Sequence, residues 1–400
     1  MKTVLVAGAV GVIGRAVLAH FEQQKDVRII GLSRRRPEFE TRAEHISVDL
    51  LDEADTVSKL AEASGTTHIV YAAYKELPTR HELVAPNLAM LRNVVKAVEQ
   101  TSPSLKHVTL MQGGKAYGCH LGPFPTPARE DDPRHISPNF YYDQEDFLRE
   151  HSAGKDWSWS ALRPEAVCGM AVGNPMNLLM VIAVYATICR ALKLPLTFPG
   201  TDTSYNTLYQ VTDARILAQA TDWAGSADAA RGEVYNITNG DYFRWVRLWP
   251  RIAEFFKLPV GAPLPFSMQE MMADKRAIWD GLVRDHGLAP YGYDEIANWN
   301  FGDLVLKTPY EISPARSRRA NTGFRTVSTR KTCSRSTLRA LSKSGLFQHP
   351  SDRAARAFSA SRVEISVRPP ASQASRTQPR HDWRGCVRTA ASGASPSHLA

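Results

Sequence analysis

The chain has 400 residues, of which 43% are hydrophobic, so it can form one large domain or two ordinary ones with a substantial core. Its net charge of +9 is unevenly distributed: residues 311–400 carry 17 Lys and Arg against 4 Asp and Glu, whereas residues 1–310 carry 32 against 36. The basicity belongs to the C-terminal segment, and we expect no nucleic-acid partner for the mildly acidic body. No apolar run reaches the roughly 18 residues of a membrane span. The longest, residues 176–189, predicts a buried helix, and we expect no membrane association.

The five cysteines (Cys119, Cys168, Cys189, Cys333 and Cys386) are scattered along the chain. They form no CxxC pair and show no metal-ligand spacing, so we expect no metal site. An odd, scattered set in a long chain favours a reducing compartment over a disulfide framework. We therefore expect the protein to be cytoplasmic.

In chain order, short apolar segments alternate with longer helical patterns. The first helical pattern, near residues 13–24, follows the segment TVLVAGAV. The second, near 55–64, follows VRIIGLS and HISVDL. The third, near 84–100, follows THIVYAAY and precedes LKHVTLM. Continuous apolar strands separated by helices predict a parallel sheet that is covered on both faces. Two further strands are predicted at residues 157–167 and 233–238.

The pattern predicts three regions. Residues 1–170 form a nucleotide-binding core, which is completed by about 205–240. Residues 171–204 and 241–310 form a smaller substrate lobe. Residues 311–400 are rich in Ser and Arg, show no hydrophobic periodicity, and are expected to be disordered or to result from a shifted reading frame. The predicted fold class is therefore α/β: a Rossmann-type, doubly wound parallel sheet with a smaller C-terminal substrate lobe and a disordered basic tail.

A glycine motif follows the first strand directly. Gly8, Gly11 and Gly14 flank Val12 and Ile13, where the first helix opens. One glycine permits a tight turn, one lets the backbone approach a pyrophosphate, and one lets helix and strand pack closely. The N–H groups at the helix start are then available to phosphate oxygens. The motif predicts a dinucleotide site.

The end of the second strand indicates which dinucleotide binds. An NAD-selective site usually has an acid here for the ribose 2′-hydroxyl. This chain has Ser33 followed by Arg34, Arg35 and a third arginine, and guanidinium groups bind phosphate with charge-assisted bonds. We therefore expect NADPH as the cofactor, with one arginine left as a solvated charge. Asp49 and Leu50 follow the third strand. They either contact the adenine edge of the cofactor or, with equal weight, are ordinary residues at the end of a strand.

The catalytic helix has an unusual composition. Short-chain dehydrogenases usually carry Tyr-x-x-x-Lys on one helix face. Tyr71 and Lys75 have this spacing but lie on a predicted strand and its exit loop, where they would be about 13 Å apart. The expected helix reads NFYYDQED (139–146) and has tyrosines without a lysine. Lys115, after the fifth strand, can supply the ammonium group from another side of the same pocket.

At this point the sequence resembles the progesterone 5β-reductase/iridoid synthase-like (PRISE) short-chain reductases over about residues 1–310. The motifs that carry the resemblance are GKAYG (114–118), GPF (122–124), NFYYDQED (139–146), RP (163–164), VTD (211–213), NITNGD (236–241) and WNFGD (299–303). The resemblance implies an extended Rossmann reductase that uses NADPH to reduce the C=C bond of an enone or enal. It also implies that Lys115 and Tyr141 are the catalytic pair, in which the Lys115 ammonium group biases the tyrosine proton. Ala116 departs from the family, which usually has His or a similar residue there.

Two other functions stay open. A nucleotide-sugar epimerase or dehydratase would normally keep Tyr-x-x-x-Lys, and a silent NADPH-binding regulator could lose the catalytic pair. The predicted partner is a small enone or enal, and a homodimer is left open. Tyr117 is predicted to pack beside the cofactor. Met176, Met180, Tyr185 and Trp245 either line an apolar substrate pocket or belong to the core.

Overall fold

The computed structural model describes residues 1–174 and 176–315. Its strands are β1 (Lys2–Ala7), β2 (Val27–Ser33), β3 (Glu44–Ser47), β4 (His68–Tyr71), β5 (His107–Met111), β6 (Ser158–Pro164), β7 (Val167–Cys168), β8 (Leu208–Tyr209), β9 (Thr212–Asp213), β10 (Glu233–Ile237) and β11 (Phe243–Arg244). Its α-helices are α1 (Val12–Phe21), α2 (Glu53–Leu60), α3 (Arg80–Thr101), α4 (Phe140–His151), α5 (Leu178–Ala191), α6 (Asp202–Asn206), α7 (Ala214–Ala224), α8 (Trp245–Phe256), α9 (Met268–Met272), α10 (Arg276–His286), α11 (Tyr293–Ile296) and α12 (Trp299–Leu306).

Seven strands form one sheet in the order β3-β2-β1-β4-β5-β6-β10. All neighbours are parallel, and Val4 of β1 lies between Ile29 of β2 and His68 of β4. The predicted parallel α/β fold is therefore confirmed. The strand order reverses at β1, and such a switch point opens a crevice beyond the carboxyl ends of the strands.

Helices cover both faces of this sheet, which gives the doubly wound arrangement. Helices α1 and α7 pack together on one face, where Leu18 and Leu217 are buried. Helices α2, α3 and α4 cover the other face, with Leu91 and Leu148 in its core. Burial of such side chains contributes about 1.5–3 kcal/mol each, so the two apolar layers hold the strand ends in fixed positions.

The remaining helices form an apolar cluster around α5. Every residue of α5 from Leu178 to Cys189 is buried, as the sequence predicted. Trp249 and Trp279 are fully buried in this cluster, and the indole N–H of Trp249 donates to the Leu196 carbonyl at 3.1 Å. Across the described part of the chain, the helices are too short or too polar to span a bilayer.

The body continues slightly beyond the predicted start of the tail at residue 311. Ile312 donates its N–H to the Leu208 carbonyl, and Ala128 donates to the Ser313 carbonyl. These bonds hold the segment against β8 and the chain near Ala128, and Ile312 and Ser313 are buried. The rest of the predicted disordered or non-native tail, residues 316–400, lies outside the described residues.

Candidate active site

One cavity of about 670 Å³ lies beyond the carboxyl edge of the sheet. Residues that end or follow six strands line it: Gly8 after β1, Ser33 of β2, Asp49 after β3, Ala72 after β4, Gln112 after β5 and Glu165 after β6. Since these strands are parallel and in register, their exit loops meet at the same edge of the sheet. The cavity also contains all the candidate residues from the sequence: Gly8, Gly11, Val12, Ile13, Gly14, Ser33, Arg34, Arg35, Asp49, Leu50, Lys115 and Tyr141.

The glycine loop has the geometry of a phosphate cradle. Gly8 has a φ of +84°, and a Cβ there would lie 2.7 Å from the Ala72 carbonyl oxygen. A Cβ on Gly14 would lie 2.2 Å from the Gly8 carbonyl oxygen, so α1 packs against the loop only with glycine at both positions. Gly11 caps α1, and as a glycine it has no side chain to bond the N–H groups of the first turn. The loop therefore fits a dinucleotide pyrophosphate.

The arginine loop is held by hydrogen bonds to its backbone. The Ser33 hydroxyl donates to the Arg35 carbonyl at 2.6 Å, and the Ser47 hydroxyl donates to the Arg34 carbonyl at 3.1 Å. Arg34 and Arg35 are exposed and line the cavity, whereas Arg36 is exposed and outside its lining. These bonds fix the backbone of the loop, which places Arg34 and Arg35, but not Arg36, in the cavity lining.

Asp49 and Leu50 line the cavity beside this loop. Leu50 is buried, while the exposed Asp49 carboxylate accepts the Leu51 N–H at 3.1 Å. This bond orders a local turn, as expected of a strand-end aspartate. Both interpretations of Asp49 remain compatible with its position.

The side chains of the two adjacent tyrosines of α4 point in different directions. Tyr141 lines the cavity, with its hydroxyl 3.5 Å from the position of a Cβ on Gly113. The Tyr142 hydroxyl donates to the Ala116 carbonyl at 2.7 Å and accepts the His135 N–H, so Tyr142 ties α4 to a loop. Successive helix positions point about 100° apart, which explains the difference.

Lys115 lies in a short 3₁₀ turn, Gly114–Tyr117, and also lines the cavity. Its Nζ is 5.8 Å from the centre of the Tyr74 ring. The sequence suggested that this lysine would bias the Tyr141 proton. In the structure burial dominates, with nearby Cys119 and Glu165 adding to it, and the pKa of Tyr141 is raised. Tyr141 is therefore a neutral hydrogen-bond donor at physiological pH.

A buried polar network holds α4 against the sheet edge. Arg163 of β6 donates to the Gln112 amide oxygen at 2.7 Å and to the Glu145 carboxylate at 3.1 Å. The Gln112 side-chain N–H₂ in turn donates to the Tyr141 carbonyl at 3.0 Å and to Glu145. Removing Glu145 would leave the buried Arg163 guanidinium without its ion-pair partner. Through Gln112 the network also stabilises the backbone position of Tyr141.

Glu165 was not predicted from the sequence as a site residue. It is 6% exposed, lines the cavity, and its Oε1 has no hydrogen-bond partner among the described residues. Burial raises the pKa of Glu165 to about 8, against the opposing effect of the Ala166 N–H. The available signal was a charged residue directly after a buried strand, at the edge where the other site residues lie.

Part of the cavity wall is apolar. It is lined by Met176, Tyr209, Phe301, Leu304, Val305 and Ile312. Of the four side chains considered for a substrate pocket, only Met176 lies here. Met180, Tyr185 and Trp245 belong to the buried core. An apolar organic molecule with a polar end fits this lining.

Two other sequence interpretations have clear outcomes. Tyr71 ends β4 and is 1% exposed in the core, so its spacing to Lys75 places no Tyr–Lys pair on a helix. Tyr117 is a packing residue, as predicted: its hydroxyl donates to Asn236 at 2.5 Å and its ring lies under Arg163. It lies outside the cavity lining, and its expected position beside the cofactor stays a prediction.

The family model of the PRISE-like Rossmann-fold domain matches residues 44–298. The chain belongs to this family. The match confirms the resemblance seen in the motifs and covers Lys115 and α4, while the glycine loop precedes it. Family members and relatives support a nicotinamide-dependent oxidoreductase of the short-chain dehydrogenase type.

Two similar proteins illustrate the relationship. An (S)-8-oxocitronellyl enol synthase of Camptotheca acuminata is 34% identical over 324 residues, which cover 76% of this chain and 82% of that protein. A short chain dehydrogenase of Penicillium aethiopicum is 33% identical over 349 residues, covering 80% and 92%.

Solved structures share the fold at low identity. A short-chain dehydrogenase/reductase superfamily protein from Agrobacterium tumefaciens with bound NAD has a TM-score of 0.59 at 17% identity, covering 86% of this chain and 99% of that chain. A UDP-glucose 4-epimerase from Thermotoga maritima has a TM-score of 0.61 at 14% identity, with the same coverage. At these identities the likeness concerns the fold alone.

The raised pKa of Glu165 predicts a specific pH dependence of stability. Because the folded protein holds this proton up to about pH 8 and the unfolded chain loses it near the ordinary value of 4.5, the free energy of unfolding should fall as pH rises through this window. The steepest slope is about 1.4 kcal/mol per pH unit. Denaturant unfolding across the window should show this slope in the wild type and its loss in Glu165→Gln.

Glu150→Gln removes an exposed carboxylate of α4 and serves as the matched control. It should keep the wild-type slope. If Glu165→Gln keeps that slope as well, Glu165 is ionised in the folded protein and the account of its burial is wrong.

Proposed function

We propose that this protein is an NADPH-dependent reductase that delivers hydride to the C=C bond of a small enone or enal. The observation that carries the proposal is the single cavity that joins the glycine and arginine loops to Lys115 and Tyr141. A cofactor that lies along the strand ends from Gly8 would bring its reactive ring toward the loops after β5 and β6.

The proposed cofactor contacts follow from the chain's own groups. The free N–H groups at the start of α1 would bind the pyrophosphate, and Arg34 and Arg35 would bind a ribose 2′-phosphate. Asp49 and Leu50 would border the adenine. When bound, the reduced nicotinamide supplies the hydride.

The proposed chemistry uses the polar end of the cavity. Hydride addition at the β-carbon of a conjugated carbonyl places negative charge on the carbonyl oxygen. The neutral Tyr141 hydroxyl would donate to this oxygen, and preorganised donors of this kind contribute roughly 3–4 kcal/mol to the transition state. Lys115 would add positive charge at the same end, while the apolar lining near Phe301 would exclude water.

The relatives favour this reaction over the alternatives. An enol, as in the name of the Camptotheca acuminata protein, is the species formed when hydride adds to the β-carbon before carbon is protonated. An epimerase would need a helical Tyr-x-x-x-Lys pair, and Tyr71 and Lys75 do not supply it. A silent regulator would have no need for a cavity that retains Lys115 and Tyr141.

Cofactor preference is the first prediction of this proposal. Charge-assisted hydrogen bonds contribute roughly 1.5–3 kcal/mol each, so NADPH should bind at least about tenfold more tightly than NADH. Titration calorimetry should show that Arg34→Ala combined with Arg35→Ala removes this preference. Arg36→Ala, at the exposed arginine outside the lining, should preserve it. Equal dissociation constants for the two cofactors in the wild type would contradict the assignment.

The second prediction concerns the role of Tyr141 as a hydrogen-bond donor. Tyr141→Phe should lower kcat by about tenfold to a thousandfold, because the oxyanion loses a donor, while NADPH affinity stays nearly unchanged. NADPH oxidation followed by absorbance with a panel of enones measures both. The matched control is Tyr142→Phe, which should keep most of kcat and cost only stability through its lost bond to Ala116. Wild-type turnover by Tyr141→Phe, or the reverse ranking of the two variants, would refute the role of Tyr141.

A further inference from the structure

The proposed reaction leaves Glu165 without a role, although its environment is costly. A buried polar atom without a partner usually destabilises a fold by about 1–3 kcal/mol. Oε1 of Glu165 has no partner among the described residues, and the carboxyl group lines the cavity. Since no described residue pairs with Oε1, the carboxyl is better explained by a ligand than by the fold.

Glu165 and Tyr141 line the same cavity and are close enough to interact electrostatically. Both approach the same backbone segment after β5 at consecutive residues. A Cβ on Gly113 would lie 3.5 Å from the Tyr141 hydroxyl, and a Cβ on Gly114 would lie 2.1 Å from Glu165 Oε1. The paired glycines therefore make room for both groups.

The protonation state decides what Glu165 can do. Since the pKa of Glu165 is raised to about 8 by burial, the carboxyl is neutral at physiological pH and can donate a hydrogen bond. A neutral carboxylic acid in an apolar site, paired with a tyrosine, is a known way to stabilise an enolate, with ketosteroid isomerase as the standard example. An ionised Glu165 would instead repel the developing charge.

We propose that Glu165 is a further catalytic residue, a neutral carboxylic acid that donates a second hydrogen bond to the enolate oxygen beside Tyr141. This inference rests on the proposed function. As hydride forms the new C–H bond at the β-carbon, the C=C electron pair moves to the bond between the α-carbon and the carbonyl carbon. The carbonyl π pair moves to oxygen. The two O–H protons stay on Tyr141 and Glu165 throughout the hydride step.

Other titratable groups act in the same part of the cavity. Ionised Glu165 would raise the pKa of each of the nearby tyrosines and of Cys119, and burial already raises all of them. If activity falls near pH 8 in the wild type but not after Glu165 is replaced by glutamine, the fall is therefore caused by ionisation of Glu165. The groups that interact electrostatically with Glu165 are Tyr117, Cys119, Tyr141 and Tyr209. Other titratable residues near Tyr141 in the cavity lining are Tyr74, Lys75, Glu76, Lys115 and His120.

Two substitutions test the proposal. Glu165→Leu removes the donor and should lower kcat on an enone by about tenfold to a thousandfold. Glu165→Gln keeps a donor of similar shape, so its kcat at neutral pH should stay within about tenfold of the wild type. The wild-type kcat/KM should fall as pH rises through about 8, and Glu165→Gln should lose this fall. Wild-type turnover by Glu165→Leu, or an unchanged alkaline fall in Glu165→Gln, would overturn the proposal.

A binding measurement separates this inference from the proposed function. 4-Nitrophenolate mimics an enolate oxygen, and its visible absorbance reports its ionised form. With NADP⁺ present, the wild type should bind it at least about tenfold more tightly than Glu165→Leu, and affinity for the phenolate form should weaken above about pH 8. Equal affinities would overturn the role of Glu165. If the wild type turns over no enone, the proposed function fails, whereas this titration still decides on Glu165.

Discussion

The site depends on one constraint: parallel strands in register bring all their carboxyl ends to the same edge of the sheet. The two apolar layers, with α1 and α7 on one face and α2 to α4 on the other, fix the strands and therefore the exit loops. Residues far apart in sequence, such as Gly8 and Glu165, consequently line one cavity. The chemistry of the site is then set by which side chain stands directly after each strand.

The carboxyl edge of the sheet near Tyr141 is held by polar contacts as well as by apolar packing. Arg163 of β6, Gln112 after β5 and Glu145 of α4 connect three elements through hydrogen bonds of 2.7–3.2 Å. Gln112 also holds the backbone of Tyr141, so the network links the sheet directly to the proposed donor. Glu145 is thus a positioning group for α4. It lies one helical turn beyond Tyr141.

Much of the fold and part of the site could be predicted from the sequence. Apolar segments of strand length, a glycine motif after the first of them and intervening helical patterns were enough for the parallel sheet and the cofactor loop. Tyr141 could not be distinguished from Tyr142 by spacing, and only the bonds of Tyr142 to the loop at Ala116 show why one of them faces the cavity.

Other features depend on tertiary packing that periodicity does not report. Met180 and Trp245 are apolar residues of the kind that line pockets, yet they are in the core because α5 is surrounded by other helices. Glu165 was overlooked for the opposite reason, since a lone acid after a strand usually reaches solvent. Its burial follows from the close approach of the glycines after β5, which no local pattern reveals.

The central claim is that hydride reaches the β-carbon of a conjugated carbonyl held by Tyr141. The most direct measurement uses NADPH carrying deuterium at the transferable position of its nicotinamide ring, with the product of an enone analysed by NMR. The account predicts deuterium at the former β-carbon and an intact carbonyl. Deuterium on the carbonyl carbon, with formation of an allylic alcohol, would contradict it.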